Sequence, residues 1–307
     1  MPDVASPKRC GTLIWTSLSP WLVRRSSSSI ACSHVVPGLN NMHLLLTVDR
    51  SPHPNEAEHR LRSVEMFWIT AMAILWGAGT GLLIPRAAYR LSVPPQEPWR
   101  TACPAGHPLG GTATGWLGRA RCTEGDRFGP STAAVALLMT VICAVLAAST
   151  GARPELLVWL PLAPIAVLLA AVDVAVHRLP DVVVLPLAAS AIAGLGAAAL
   201  LPGADGSWRT ALLGSLTLGA CNLVVFLINP RGLGFGDVKL ALVLGAVLGW
   251  YGWTIVLAGT FAGYLFGAVY GIGLILAGRA ERTSRIPFGP FLLAGTLAGV
   301  LLGSHAP

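Results

Sequence analysis

Two aspartates carry the residue type and placement that chemistry would need. Asp237 stands in Arg231-Gly-Leu-Gly-Phe-Gly-Asp-Val-Lys239, with glycines at 232, 234 and 236 and an apolar run directly after it. Glycines there let the chain turn tightly and approach another segment closely. Asp173 closes an earlier apolar run, Leu168-Leu-Ala-Ala-Val-Asp-Val-Ala-Val-His-Arg-Leu-Pro-Asp181. Two carboxylates in one site share a proton, so that one serves as base for water and the other as acid for a carbonyl or leaving amine. Taken alone, Asp237 is also well suited to capping the helix that follows it. The chemistry therefore depends on whether the chain returns both aspartates to the same place.

The elements that must do this are membrane helices. The chain has 307 residues, of which 54% are hydrophobic and 11% charged, with mean hydropathy +0.66. A soluble chain carries about 25% charged residues, so this is an all-α polytopic membrane protein with short loops. About eight apolar runs are expected as spans, near 67–84, 131–148, 156–172, 182–201, 210–228, 238–250, 253–277 and 288–303. Most reach the length that crosses about 30 Å of hydrocarbon; the sixth is short, as for a tilted, partly re-entrant or recess-bounded helix. Gly263 and Gly267 form a small-xxx-small pair suited to close helix contact.

Charge patterning sets the orientation. The net charge of +7 does not indicate nucleic acid, because the basic residues lie in short loops between apolar runs. Loops after the first, third, fifth and seventh runs hold twelve Lys and Arg; those at the opposite end hold only Arg153 and Arg209. By the positive-inside rule the first set is cytoplasmic. Two passes separate Asp173 from Asp237, so both return to the cytoplasmic end, whereas Glu155 and Asp205 fall outside. Asp181 and His177 read as solvated loop-edge groups. Residues 1–65 form a polar, basic N-terminal extension, expected to be poorly ordered or to precede a later start at Met42 or Met66. Its apolar piece Leu13–Val23 is too short to span, and Arg24 and Arg25 follow it where a secretory signal has small residues. Residues 66–130 then hold the first span and a long cytoplasmic loop, and 131–307 the remaining membrane domain.

With these residues in hand, the chain resembles the type IV prepilin peptidases over about 66–303. Asp173 followed by Arg178-Leu-Pro-Asp-Val-Val-Val-Leu-Pro186 is similar to their first aspartate motif. Gly234-Phe-Gly-Asp-Val-Lys-Leu240 is similar to the second, and Ile286-Pro-Phe-Gly-Pro-Phe291 to a third recurrent stretch. The resemblance implies an inner-membrane aspartyl endopeptidase that removes short basic leaders from prepilins or pseudopilins on the cytoplasmic side. Asp173 and Asp237 would be the catalytic pair, Gly234 and Gly236 would shape the turn, and Lys239 would supply a supporting charge. It implies no cofactor, with the prepilin and the lipid bilayer as partners.

One loop departs from the family pattern. Many members place two C-x-x-C pairs in the first cytoplasmic loop, as a zinc-type site tied to N-methylation. Here the loop reads Cys103-Pro-Ala-Gly-His107 and Arg121-Cys-Thr-Glu-Gly125. Cys103, Cys122 and His107 give at most three donors where a structural zinc site wants four, so no metal is expected and methyl transfer is not. The other readings are a presenilin- or signal-peptide-peptidase-type protease, a proton- or cation-coupled transporter using the two aspartates, and an inactive assembly subunit. The Arg-Leu-Pro and Pro-Phe-Gly-Pro-Phe stretches argue against the first. The absence of an internal repeat argues against the second, and the presence of both aspartates against the third.

Overall fold

A computed structural model describes residues 54–305, apart from 95, 111, 123–124, 126, 231–233 and 280–285. Among the described residues all regular elements are helices: α1 (Pro54–Leu91), the single turn α2 (Thr112–Gly115), α3 (Thr132–Thr150), α4 (Leu156–Val176), α5 (Asp181–Ala198), α6 (Trp208–Ile228), α7 (Phe235–Gly249), α8 (Trp253–Leu276) and α9 (Gly289–Gly303). Six of them, α1, α3, α4, α5, α6 and α8, are long and apolar enough to cross a membrane. The chain is a multi-pass membrane protein.

Of the N-terminal extension, residues 1–53 lie outside the described residues, as do Gly232 and the basic side chains at 231, 282 and 285. Residues 54–65, expected to be unstructured, belong to α1 instead. Pro54 suits a first helical position, and Arg62 pairs with Glu58 one turn away at 2.8 Å. Local sequence thus carries the helix upstream of the apolar run.

The sixth run, short for a span, lies inside the bundle. It is α7, the central helix, packed against α5, α6, α8 and α9. Nearly every position from Asp237 to Gly249 is buried. At 15 residues it spans roughly 22 Å, which suffices for a helix sheathed by its neighbours. Small residues bring the backbones together where apolar transfer gives no drive, because lipid is as apolar as a side chain. A methyl group on Gly245 would strike the Gly214 carbonyl of α6, and one on Gly249 would sit 2.5 Å from the Thr210 carbonyl. Gly263 and Gly267 do the same for α8, against Leu292 and Phe288 beside α9.

The end of the bundle opposite the aspartates is tied by polar groups. Arg153 bonds Asp205 at 2.9 Å and the Ser304 carbonyl at 3.1 Å. Glu155, which precedes α4, is fully buried, and neither carboxylate oxygen has a hydrogen-bond partner among the described residues. Burial holds its carboxyl above the usual glutamate range, and the nearby Asp205 adds to this while Arg153 and the Trp250 indole oppose it. A raised folded-state value means that the stability tied to Glu155 is present below the ordinary glutamate pKa and is lost as pH rises through the folded value. Melting in detergent should therefore show wild-type stability falling with rising pH over that window. Glu155→Gln should flatten the dependence and be at least as stable at neutral pH; parallel curves for the two proteins would refute the assignment.

Candidate active site

Asp173 lies in the last turn of α4. That helix ends at His177, which takes a left-handed conformation (φ 51°) and donates its backbone N–H to the Asp173 carbonyl at 2.8 Å. The left-handed cap turns the chain so that Arg178-Leu-Pro180 crosses to the start of α5. Asp237 lies in the first turn of α7, which begins three residues earlier than the apolar run because Gly234 caps it. The Gly234 N–H donates to Asp237 Oδ2 at 3.2 Å, which orients the carboxylate across the helix mouth.

The two passes of α5 and α6 do bring the aspartates to one end of the bundle. Both line a cleft of about 280 Å³ with His177, Asp181, Gly234, Gly236 and Lys239. Asp173 is 5% exposed and Asp237 8% exposed, and their charges interact. Gly236 serves close approach, since a Cβ there would meet the Leu179 Cβ at 3.0 Å. Two nearly buried carboxyl groups in a polar, open cleft have what water activation requires: a proton to share and access for solvent.

Three polar contacts of the bundle were not evident from the sequence. The Gly289 N–H at the start of α9 donates to Asp173 Oδ2 at 2.9 Å. The stretch 286–291 had drawn attention only through family resemblance, and nothing in its composition announced a partner for Asp173. Second, Asp181 is not simply solvated: it pairs with Lys239 Nζ at 2.6 Å, and Lys239 also lies 4.7 Å from the centre of the Phe235 ring. Lys239 is the one lysine of the membrane domain, which was the available signal. Third, a polar contact joins α6 and α8: the buried Asn222 accepts from the Tyr264 hydroxyl at 3.1 Å.

The loop between α1 and α3 contains a second cluster. Cys103 and Cys122 Sγ lie 2.9 Å apart, and His107 Nδ1 lies 3.2 Å from Cys122 and 3.7 Å from Cys103. Each cysteine opens a tight turn closed by a glycine, with Gly106 N–H on the Cys103 carbonyl and Gly125 N–H on that of Cys122. Tetrahedral zinc places such donors roughly 3.5–3.8 Å apart, so the trio fits a metal after a small opening of the loop. The donor count had argued against a metal; the geometry shows that the three donors meet. Zinc here would cross-link the loop through Cys103, His107 and Cys122. Cobalt titration should give thiolate-to-metal charge-transfer absorption, displaced by zinc and lost in Cys103→Ser/Cys122→Ser. A silent spectrum in the intact protein would refute the site.

Comparison with known proteins places the aspartate cleft in context. Residues 160–272, which include Asp173 and Asp237, match the type IV leader peptidase family. The chain is similar to a prepilin leader peptidase/N-methyltransferase of Bacillus subtilis, 37% identical over 109 residues, covering 36% of this chain and 42% of the relative. A Pseudomonas aeruginosa protein of the same description is 35% identical over 133 residues, covering 41% and 43%. One from Aeromonas salmonicida is 47% identical over 73 residues, 24% of each. The chain thus spans less than half the length of the curated relatives it matches. No solved structure matches.

Proposed function

We propose that this chain, whose residues 160–272 belong to the type IV leader peptidase family, is a membrane aspartyl endopeptidase that removes the leader of a prepilin or pseudopilin. The observation that carries the reading is the convergence of Asp173 and Asp237 in one polar cleft at one end of the bundle. The Asp pair holds a single proton. The ionised member draws a proton from a water molecule in the cleft as that water attacks the scissile carbonyl. The protonated member hydrogen-bonds the carbonyl oxygen and then passes its proton to the leaving amine. The backbone N–H groups of Gly234 and Gly289 keep one oxygen of each carboxylate occupied, leaving the other for this chemistry.

Gly234 and Gly236 shape the mouth of α7, and Lys239, held by Asp181, supplies positive charge beside the cleft. The basic loops at this end support a cytoplasmic-facing site in a multi-pass protein of the cytoplasmic membrane. The relatives' names include methyl transfer, but the loop cysteines here are arranged differently, and the proposal covers peptide cleavage alone. The test is incubation of the detergent-purified protein with a purified prepilin, read by mass spectrometry. Release of the intact leader in the presence of chelators, serine reagents and thiol reagents is expected. Failure to cut any of a panel of prepilins and pseudopilins would overturn the reading.

A further inference from the structure

Three arginines of the α1–α3 loop, Arg119, Arg121 and Arg127, line a second cavity of about 440 Å³ at the start of α3. Arg121 and Arg127 face each other across an antiparallel bridge. Cross-strand partners project to one side of a ribbon, and like charges directly opposite are destabilising. Arg119, joined to Arg121 by a tight turn in which the Arg121 N–H donates to the Arg119 carbonyl at 2.9 Å, lines the same cavity. Among the described residues, no acidic residue lines the cavity and none of the three guanidinium groups has an ion-pair or hydrogen-bond partner. Among the described residues, the three positive charges are therefore gathered around an open space without a carboxylate to balance them.

The rest of the wall indicates what balances them. Ser131 and Thr132 bring the N-terminus of α3, a 19-residue helix whose free N–H groups and dipole favour negative charge. Leu82 of α1 and the buried Phe128 give the cavity an apolar side. Gly129, at φ 73°, holds the ribbon against α1, where a Cβ would meet the Pro85 carbonyl at 3.2 Å. The site also lies where α1 and α3, two helices long and apolar enough to cross a membrane, meet their polar loop. A free phosphate would use the arginines but not the apolar side. A phospholipid uses both.

We propose that Arg119, Arg121, Arg127 and the α3 N-terminus form a binding site for the headgroup phosphate of an anionic phospholipid. Guanidinium groups suit this ligand because they bind phosphate oxygens in a bidentate manner, and basic pockets between spans on the cytoplasmic side are a known setting for acidic headgroups. The inference does not depend on the peptidase reading. It also gives the loop a role besides the cysteine cluster: the segment that carries Cys122 would seat a lipid through Arg121 and Arg127.

The experiment is native mass spectrometry of the full-length protein in detergent, titrated with dioleoyl-phosphatidylglycerol or dioleoyl-phosphatidylcholine. Retention of phosphatidylglycerol over phosphatidylcholine is expected. Arg119→Gln/Arg121→Gln/Arg127→Gln should weaken phosphatidylglycerol binding about tenfold or more and leave phosphatidylcholine unchanged. Arg209→Gln, which removes one charge at the opposite end, should have no effect. Should the triple variant fail to fold, Arg119→Gln and Arg127→Gln singly should each lower retention. Equal retention of the two lipids, unchanged retention in the variants, or displacement by inorganic phosphate as effective as by the lipid would overturn the proposal.

Discussion

Asp173→Asn and Asp237→Asn are each expected to lower prepilin cleavage by about 10²–10⁴-fold, with the protein still inserted and abundant. Asn has nearly the size of Asp and still accepts the N–H of Gly289 or Gly234, so the packing around it survives. What it cannot do is hold and release the shared proton. Because either change disables the unit, the double variant should be no worse than the singles. The rate of the wild-type protein should follow a bell-shaped pH profile whose two apparent constants belong to the pair jointly. Glu155→Gln, at the other end of the bundle, should cut normally. Asp181→Asn should cost far less than either cleft change, because its carboxylate is 59% exposed and an exposed pair contributes little. A normal rate in either dyad variant, with the leader released at the usual bond, would remove these residues from the mechanism.

Gly289→Ala is expected to reduce cleavage by about 10²-fold although residue 289 supplies no side chain to the chemistry. Its Cβ would come within 2.8 Å of Asp173 Oδ2, the oxygen that accepts the Gly289 N–H. Since Gly289 is followed by Pro290 and begins α9, the backbone has little freedom to yield. The Asp173 carboxylate must then rotate, and displacement of a reacting group by about 1 Å costs on this scale. The loss should fall on kcat with KM little changed, since the change acts on the carboxylate and not on the substrate's binding surface. Gly295→Ala offers the contrast. It meets the backbone of α8 at Gly259 and Gly263, far along α9 from the dyad, and should show as a lower melting temperature. Full activity in Gly289→Ala would mean that α9 does not position Asp173.

Much of the fold could be read directly. Composition and the spacing of apolar runs were enough for a helical membrane protein, because a spanning segment must satisfy its own backbone and present apolar side chains all round. The starts and ends of α3, α4, α5, α6, α8 and α9 fall within a few residues of the runs that suggested them. α7 agrees to the same few residues, and α1 departs further. α1 continues upstream through polar residues that are good helix formers. α7 begins three residues early because Gly234 can cap it, a backbone property that hydropathy does not register.

For the site, counting passes sufficed to place Asp173 and Asp237 at the same end, since two crossings return the chain to the face it left. The same count says nothing about which other groups reach them. The Gly289–Asp173 hydrogen bond and the Asp181–Lys239 pair join positions far apart in the chain that helix packing brings together, and the turns of one loop bring Cys103, His107 and Cys122 to meet. Hydropathy and charge report how each segment meets lipid and water, one residue at a time. Contacts between segments depend on which small residues let two backbones close, and only the folded bundle decides that.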